Sequence, residues 1–223
     1  MKNIFKPILR LIYEKMFLPI ASKAMRRMSR NIPKTDLGSK HLANAKLLEN
    51  REELLKRIPE NGVVAELGVD EGGFSNLILN ISKPKKLHLI DFWGSKRYNQ
   101  TKRNKVEQRF EKEINEGLVE INLGLSTEVA DSFKENYFDW IYIDTAHSYD
   151  VTRDELELYR TKVKDNGIIS GHDYILGNWN GMIRYGVIEA VHEFCLKYNW
   201  EIIYITTELT NMPSFAIRKI GAK

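Results

Sequence analysis

Four side chains that can bind metals or move protons follow two apolar segments of the sequence. Asp144 ends the run FDWIYI and His147 comes three residues later, while His172 and Asp173 directly follow GIISG. An imidazole takes up protons near neutral pH, so His147 and His172 are candidate general bases. Carboxylate oxygens are the ligands that Mg²⁺ prefers, so Asp144 and Asp173 are candidate metal ligands. In the structural alternative, His147 caps the helix that follows and His172 is a hydrogen-bonded core residue.

A second group of such residues lies in the stretch VVAELGVDEGGF. Glu66 stands two residues before Gly68 and six before Gly72, where an apolar run gives way to a helical pattern. Glycines at that place let the chain turn tightly and let a ligand approach the backbone. With Asp70 and Glu71 the turn is acidic, which disfavours a phosphate and favours a ligand with a cationic end. S-adenosylmethionine has an ammonium and a sulfonium group and no phosphate.

The next apolar run, KLHLID, ends in Asp91, 25 residues after Glu66. An acid at the end of the second strand of a nucleotide-binding sheet can accept hydrogen bonds from both ribose hydroxyls. Glu66 and Asp91 therefore predict a nucleoside-containing ligand. The alternative is an ordinary turn with two solvated acids.

The elements that must position these residues alternate along the chain. Charged segments with helical periodicity separate most of the apolar runs, which is typical of a parallel sheet covered by helices on both faces. Only TELTNMP separates the last two runs, so they should form an antiparallel hairpin. We also predict a helix over 41–58. The strands are expected at 63–67, 87–91, 118–123, 138–143, 167–171, 201–206 and 214–218.

This α/β pattern resembles the class I S-adenosylmethionine-dependent methyltransferases, which have a Rossmann-like, doubly wound sheet of seven strands. Glu66, Gly68 and Gly72 match the first motif of that family, and Asp91 matches its ribose-binding acid. The resemblance covers about residues 60–219. It implies that these four residues bind S-adenosylmethionine. It further implies that Ser126 lies near the adenine and that Asp144 also contacts the cofactor.

The segments IDTAHSYD and GIISGHDY resemble a small branch of that family related to sugar O-methyltransferases. Its implied activity is O-methylation of a sugar, a glycan or another small hydroxyl acceptor, with a histidine base and, in some relatives, Mg²⁺. Thr145 stands where the branch usually has glycine, and His172 stands where metal-dependent relatives often have an acid or asparagine. The second departure leaves metal use open. The alternatives in other classes are an NAD-dependent Rossmann oxidoreductase and a non-catalytic nucleoside-binding protein.

Charge is distributed unevenly along the 223 residues. Residues 1–30 contain eight Lys or Arg and one Glu, a net charge of +7, whereas the remainder has 26 Lys or Arg and 29 Asp or Glu, a net charge of −3. We therefore divide the chain into a basic N-terminal arm, 1–35, and a methyltransferase domain, 36–223. The basic pI belongs to the arm, so no nucleic-acid partner is expected. A single cysteine, Cys195, fits a reducing, cytoplasmic setting.

The arm has apolar residues at helical spacing and basic residues on the other face, but no apolar run long enough to span a membrane. Such a helix can lie on an anionic membrane surface, here the inner face of the membrane. It can also pack on its own domain or on a second subunit of a homo-oligomer. The sequence leaves these three alternatives open.

The loop YILGNWNGMIRYG follows Asp173 and is predicted to lie over the site. Its amide and aromatic side chains would form a wall for the acceptor. The residues proposed for that wall are Asn178, Trp179, Asn180 and Arg184.

Overall fold

The computed structural model of the protein describes residues 5–178 and 180–222. Trp179, proposed for the acceptor wall, and residues 1–4 of the arm lie outside the described residues.

The described chain forms one large sheet and one short hairpin. The sheet has eight strands in the order β1-β9-β10-β6-β5-β2-β3-β4. Strand β10 is antiparallel to both of its neighbours, and the other pairs of adjacent strands are parallel. The strands are β1 Lys46–Leu48, β2 Val63–Leu67, β3 Lys86–Asp91, β4 Val119–Leu123, β5 Phe138–Ile143, β6 Val163–Gly171, β9 Trp200–Thr206 and β10 Phe215–Lys219, with β7 Gly177–Asn178 and β8 Ile183–Arg184 in the hairpin.

The predicted fold class and the antiparallel C-terminal hairpin are confirmed, but the count of seven strands is wrong by one. The extra strand, β1, pairs in parallel with β9, with Lys46 opposite Tyr204. It lies in the segment predicted as the helix 41–58, where a helix forms only over Arg51–Leu55. Asn50 explains the boundary, because its side chain accepts a hydrogen bond from the Glu53 amide at 3.0 Å and caps the helix there.

Helices lie on both faces of the sheet, as predicted, and each face has its own apolar core. Along β2 the side chains alternate, so that Val63 and Ala65 join one core while Val64 joins the other. The helices are α1 Phe5–Ile12, α2 Leu18–Met28, α3 Arg51–Leu55, α4 Gly73–Ser82, α5 Gln100–Arg109, α6 Glu111–Asn115, α7 Ser126–Val129, α8 Tyr149–Tyr159 and α9 Val187–Tyr198.

The arm consists of α1 and α2 joined by one π-helical turn, Tyr13–Phe17. No residue of 6–28 is buried. The linker after α2 is hydrogen-bonded to the domain, since the Thr35 carbonyl oxygen lies 2.8 Å from Nδ1 of His192. Residues 6–28 therefore contribute no buried side chain to the domain core, and the three alternatives for the arm stay predictions. None of the described helices combines the length and the apolar character that crossing a membrane would require.

The three histidines outside the predicted site, His41, His88 and His192, make hydrogen bonds that hold the fold. His41 bonds the Trp200 carbonyl oxygen at 2.6 Å, and His88 lies between Asn122 and Tyr137, 3.0 Å from each. Cys195 is fully buried, and burial raises the pKa of its thiol to about 12, which makes it an inert core residue.

The order of the strands reverses between β2 and β5, so a crevice opens there at the carboxyl ends of the strands. Gly68 closes the bottom of that crevice. Its amide donates to the Ile90 carbonyl at 2.9 Å, and the Asp144 amide donates to the Leu67 carbonyl at 2.7 Å. Gly68 has φ +87°, and a Cβ on it would lie 2.0 Å from the Asp144 carbonyl oxygen. Only glycine fits this position.

We expect Gly68→Ala to lower the free energy of unfolding by at least about 2 kcal/mol, because the added methyl group meets backbone in a left-handed conformation. Chemical denaturation of the unliganded protein measures this. Gly73→Ala is the matched control in the same turn, since a Cβ there has no atom within 4 Å, and it should stay within about 1 kcal/mol of wild type. Equal stability of the two variants would contradict the assignment.

Candidate active site

A cleft of about 820 Å³ lies at the carboxyl ends of the strands, beside the point where the strand order reverses. Most of the predicted cofactor residues line it, together with one of the two candidate bases. Gly72, His172 and Asp173 are not among the lining residues. The predicted residues in the wall are Glu66, Gly68, Asp91, Ser126, Asp144 and His147.

Gly72 serves the fold of the turn. It precedes α4 with φ +74°, and a Cβ on it would lie 2.7 Å from the Phe110 ring. The glycine therefore lets the helix start against an aromatic side chain in the core. Its contribution to ligand binding is indirect, because it sets where the turn runs.

Asp91 holds the loops around it. Its Oδ2 accepts hydrogen bonds from the amides of Val69 at 2.8 Å and Asp70 at 3.1 Å, and its Oδ1 accepts one from the Trp93 amide at 3.0 Å. The Trp93 indole in turn donates to the Asp70 carbonyl at 2.9 Å. Asp70 and Trp93 both have positive φ, 54° and 43°. One carboxylate thus fixes two strained turns and stays at the cleft wall.

Glu66 is 2% exposed and accepts a hydrogen bond from the Ser75 hydroxyl. Burial raises the pKa of this carboxyl well above its ordinary value; the Ser75 bond opposes the shift, while the charges of Asp144 and Asp91 add to it. A cation bound in the cleft would favour the ionised form. A positive charge in the cleft would therefore add to that of Arg51, which already acts on Glu66.

The two outer acids of the turn each form an ion pair. Asp70 pairs with Lys102, and Glu71 pairs with Lys105 at 3.0 Å. Both lysines come from α5, which is distant in sequence. Lysines of α5 therefore offset part of the charge of Asp70 and Glu71, which line the cleft together with Glu66, Asp91 and Asp144. That the acidic turn favours a cationic ligand stays a prediction.

The loops after β5 and β6 bring the second group of predicted residues together. His147 Nε2 lies 3.0 Å from Asp173 Oδ2 and 3.9 Å from Asp144 Oδ1. His147 and Asp173 both have positive φ, 55° and 56°, which is rare for residues with a side chain. Tyr185 packs against the His147 ring with 5.1 Å between ring centroids. The arrangement is a histidine oriented by a buried carboxylate.

His172 lies behind this pair. Its Nδ1 is 3.6 Å from Asp144 Oδ1 and 3.8 Å from Asp173 Oδ2, and its buried Nε2 has no hydrogen-bond partner among the described residues. Burial by itself lowers the pKa of His172, but interaction with Asp144 and the charge of Asp173 outweigh it and raise the pKa above its usual value. The carboxylates of Asp144 and Asp173 thus favour the protonated form of His172.

Asp144, His147 and Asp173 can each offer one ligand atom, and these atoms lie within 4.8 Å of one another. The set contains one imidazole nitrogen and two carboxylates. Mg²⁺ prefers oxygen ligands throughout, whereas a cation such as Mn²⁺ accepts imidazole more readily. The donor set therefore fits Mg²⁺ poorly if all three residues bind, and Mg²⁺ held by Asp144 and Asp173 alone stays a prediction.

Ser126 lines the cleft, but its hydroxyl is already used. It donates to Glu155, which also accepts a hydrogen bond from the Thr145 hydroxyl at 2.8 Å. Glu155 is fully buried on α8, and burial raises its pKa to about 7 against both hydrogen bonds. Thr145 stands where the branch usually has glycine. Through Glu155, its hydroxyl connects the loop after β5 to Ser126, which follows β4.

Arg51 is a cleft residue that the sequence does not single out. It begins α3, and its guanidinium lies 4.7 Å above the centre of the Phe74 ring. It is close enough for its charge to oppose the raised pKa of Glu66 and of Asp173. Arg51 lies in the segment before β2 that the sequence predicts as an ordinary helix, and nothing in that segment marks it as a site residue.

Three residues of the predicted acceptor wall, Asn178, Asn180 and Arg184, lie among the described residues, and none of them lines the cleft. Asn178 accepts hydrogen bonds from the amides of Asn180 at 3.0 Å and Gly181 at 3.2 Å, and so holds the β7–β8 turn. Arg184 pairs with Glu189 and donates to the Leu176 carbonyl at 2.9 Å. The side chains of Asn178 and Arg184 therefore shape the hairpin and the start of α9.

Comparisons with known proteins agree with this geometry. Residues 65–174 match a family model described as a methyltransferase domain. Among curated proteins, no sequence matches the chain.

Solved structures share the fold at low sequence identity. A S-adenosylmethionine-dependent methyltransferase from Aquifex aeolicus is 12% identical, with 86% of this chain and 97% of that chain covered and a TM-score of 0.57. The Bacillus subtilis M1A22 tRNA methyltransferase TrmK is 15% identical, with 77% and 66% covered and a TM-score of 0.56. A putative methyltransferase from Streptococcus mutans, SMU.1697c, solved with S-adenosylhomocysteine, is 13% identical, with 75% and 93% covered and a TM-score of 0.53.

Residues 65–174 of the chain therefore match a methyltransferase domain, and the sheet that contains them has the Rossmann-like fold. The matched residues extend from β2 to the loop after β6, and so include the glycine turn, Asp91 and the residues around His147. The findings support an enzyme of the S-adenosylmethionine-dependent methyltransferase class.

The buried Glu155 predicts a particular dependence of stability on pH. Its carboxyl pKa is about 7 in the folded protein against an ordinary value of 4.5, so the folded state binds more protons between those values. The free energy of unfolding should therefore fall as pH rises through that window, by roughly 3 kcal/mol in total. Glu155→Gln should remove this fall, as measured by urea denaturation at pH 5 and pH 8.

Glu111→Gln on the exposed surface of α6 is the control and should keep the wild-type dependence on pH. If Glu155→Gln follows the wild-type curve, the carboxyl is not protonated in the folded protein.

Proposed function

We propose that the protein transfers the methyl group of S-adenosylmethionine to a hydroxyl group of a small acceptor, with a sugar or glycan as the favoured class. The single observation that carries this proposal is the His147–Asp173 pair at a cleft whose inner carboxylates make no ion pair with Lys or Arg among the described residues. S-adenosylmethionine, when bound, supplies the electrophilic methyl group.

Charge supports the cofactor part of the proposal. Glu66, Asp91 and Asp144 face the cleft without an ion pair to Lys or Arg among the described residues. A ligand with an ammonium and a sulfonium group would offset that charge. Arg51 would bind the carboxylate at the amino-acid end of the same ligand, since it stands beside Glu66 in the cleft wall.

The same geometry disfavours the oxidoreductase alternative. A dinucleotide pyrophosphate needs free amides in the turn after the first strand of the fold. Here the amides of Val69 and Asp70 donate to the carboxylate of Asp91. A phosphate would have to displace one carboxylate in the presence of two others, Glu66 and Asp144.

His147 is the base that the geometry favours over His172. It lines the cleft, whereas His172 lies behind it between two acids. With Nε2 directed at Asp173, the tautomer that donates to the carboxylate leaves Nδ1 as the basic nitrogen. A hydroxyl placed against this imidazole loses its proton as it attacks, and Asp173 stabilises the imidazolium that results.

Asp144 and His172 complete the environment of the base. Asp144 faces the cleft and is 25% exposed at its side chain, so it can accept a hydrogen bond from the cofactor or the acceptor. His172 offsets the charge of the two aspartates. If a divalent cation binds, Asp144 and Asp173 would hold it and it would lower the pKa of the acceptor hydroxyl.

Cofactor binding is tested by isothermal titration of the protein with S-adenosylmethionine, S-adenosylhomocysteine and NADH. We expect binding of the first two and none of NADH. Glu66→Gln should weaken binding of S-adenosylmethionine at least about tenfold, because a neutral amide cannot offset the ammonium or sulfonium charge. Glu116→Gln, an exposed carboxyl of the same type, is the control. Tighter binding of NADH would support the oxidoreductase instead.

Catalysis is tested by following transfer of labelled methyl groups to a panel of sugars, sugar nucleotides, glycans and small alcohols, with tRNA as a further arm. On an accepted substrate, we expect His147→Gln to lower kcat by about 10²-fold or more. His172→Gln should act less on kcat and more on stability, since it removes the charge between Asp144 and Asp173.

Activity that survives chelation and responds to His147→Gln would support the metal-free base. Activity lost on chelation and restored by Mg²⁺ or Mn²⁺ would identify the cation. Binding without transfer to any member of the panel would favour the non-catalytic alternative, and methylation of tRNA alone would overturn the hydroxyl acceptor.

A further inference from the structure

The N-terminal arm presents an apolar surface that the structure leaves uncovered. The side chains that form it are between 38% and 67% exposed, although each would prefer burial. We define the apolar stripe as Ile8, Leu9, Ile12, Met16, Phe17 and Ile20.

Register keeps this stripe on one side of the arm. The apolar positions repeat every four residues, whereas an α-helix turns once in about 3.6 residues, so the stripe would drift around a regular helix. The π-helical turn at Tyr13–Phe17 is wider and takes up part of the difference. The irregularity therefore aligns the apolar residues of α1 with those of α2.

The arm is basic outside the stripe, with Lys15 and Arg26 on the far side of the helix and Lys23 beside the stripe. Lys6, Lys15, Lys23 and Arg26 make no ion pair among the described residues, and the arm's one acid, Glu14, is bonded to Arg10 at 2.8 Å. Residues 1–30 carry a net charge of +7. A net charge of +7 on each arm would oppose association with a second copy, whereas an anionic surface would neutralise it.

We infer that the arm lies flat on an anionic lipid bilayer, with the apolar stripe inserted at the level of the headgroups and the basic face against the phosphates. A helix with one apolar and one basic face, bearing an aromatic residue in the apolar stripe, is suited to that position. Each Lys or Arg near such a surface contributes attraction that salt can screen. This inference is independent of the methyl-transfer chemistry.

The path of the linker places the arm relative to the cleft. Lys40 and His41 contact Asn199 and Trp200 beyond the end of α9, at the edge of the sheet away from the cleft. Thr35 contacts His192, which lies halfway along the same helix, toward its start. Since α9 begins beside the His147 loop, the chain runs toward the cleft as it approaches the arm. A membrane-bound arm would thus leave the domain on the side where the cleft lies.

The experiment is flotation of the full chain with vesicles of phosphatidylcholine alone and with 30% phosphatidylglycerol. Wild type should bind the anionic vesicles and lose most binding in high salt. The stripe variant Ile12→Gln/Phe17→Gln keeps the charge of the chain and should weaken binding at least about tenfold. The basic-face variant Lys15→Gln/Arg26→Gln should weaken it about thirtyfold on anionic vesicles only.

Ser22→Gln, on the face opposite the stripe, is the matched control and should bind as wild type does. Thermal unfolding of each variant shows whether the domain remains folded. Equal binding of wild type and the stripe variant overturns the inference. The inference is also overturned if wild type binds no vesicles and analytical ultracentrifugation shows a dimer that the stripe variant disrupts.

Discussion

Four carboxylates share one end of the sheet, and the structure of the site follows from how each is balanced. Asp91 is satisfied by three backbone amides, and Asp173 is directed at His147. Asp144 lies near both histidines, whereas Glu66 is buried with only a hydroxyl donor. Such a group of acids would be unstable without cations, since each buried charge raises the pKa of its neighbours. The raised pKa of His172 and the affinity for a cationic ligand are two consequences of the same constraint.

Close approach of the backbones makes this grouping geometrically feasible. Gly68 lets β2 and β5 end together, and the left-handed residues His147 and Asp173 turn the following loops back over the strand ends. Each strained residue is fixed by neighbours that are far away in sequence. Strain of this type is retained where the surrounding fold determines the conformation, and it places side chains that regular turns would direct into solvent.

Sequence reasoning succeeded where a segment is buried on both faces. The strands 63–67 and 138–143 were predicted to the residue, since a continuous apolar run flanked by turn residues leaves little choice. It failed for β1 and the helix over 41–58, because short apolar runs fit a helix and a strand equally well until an edge partner such as β9 is known. The local sequence therefore suffices to predict long, strongly patterned elements, whereas a short edge strand depends on the neighbouring strand with which it pairs.

The site was predictable as a group of residue types and only partly as a set of roles. Strand ends identify Glu66, Asp91 and Asp144, because the carboxyl ends of parallel strands meet. The choice between His147 and His172 depends on the backbone angle after each strand, which the sequence pattern does not encode. Arg51 and Glu155 enter through contacts with residues far along the chain, so no local signal indicates them.

The π-helical turn in the arm has a consequence for how the arm tolerates change. If all five residues of Tyr13–Phe17 wound as a regular α-helix, the residues N-terminal to them would rotate by roughly 90° relative to α2. Ile8 and Leu9 would then point away from Ile20, and the apolar stripe would be split into two offset halves. Deleting one residue of this segment would instead restore regular winding and leave the stripe aligned, because the deletion removes the extra residue that the wider turn accommodates. The number of residues in this segment and its winding must therefore match for the arm to have one apolar face.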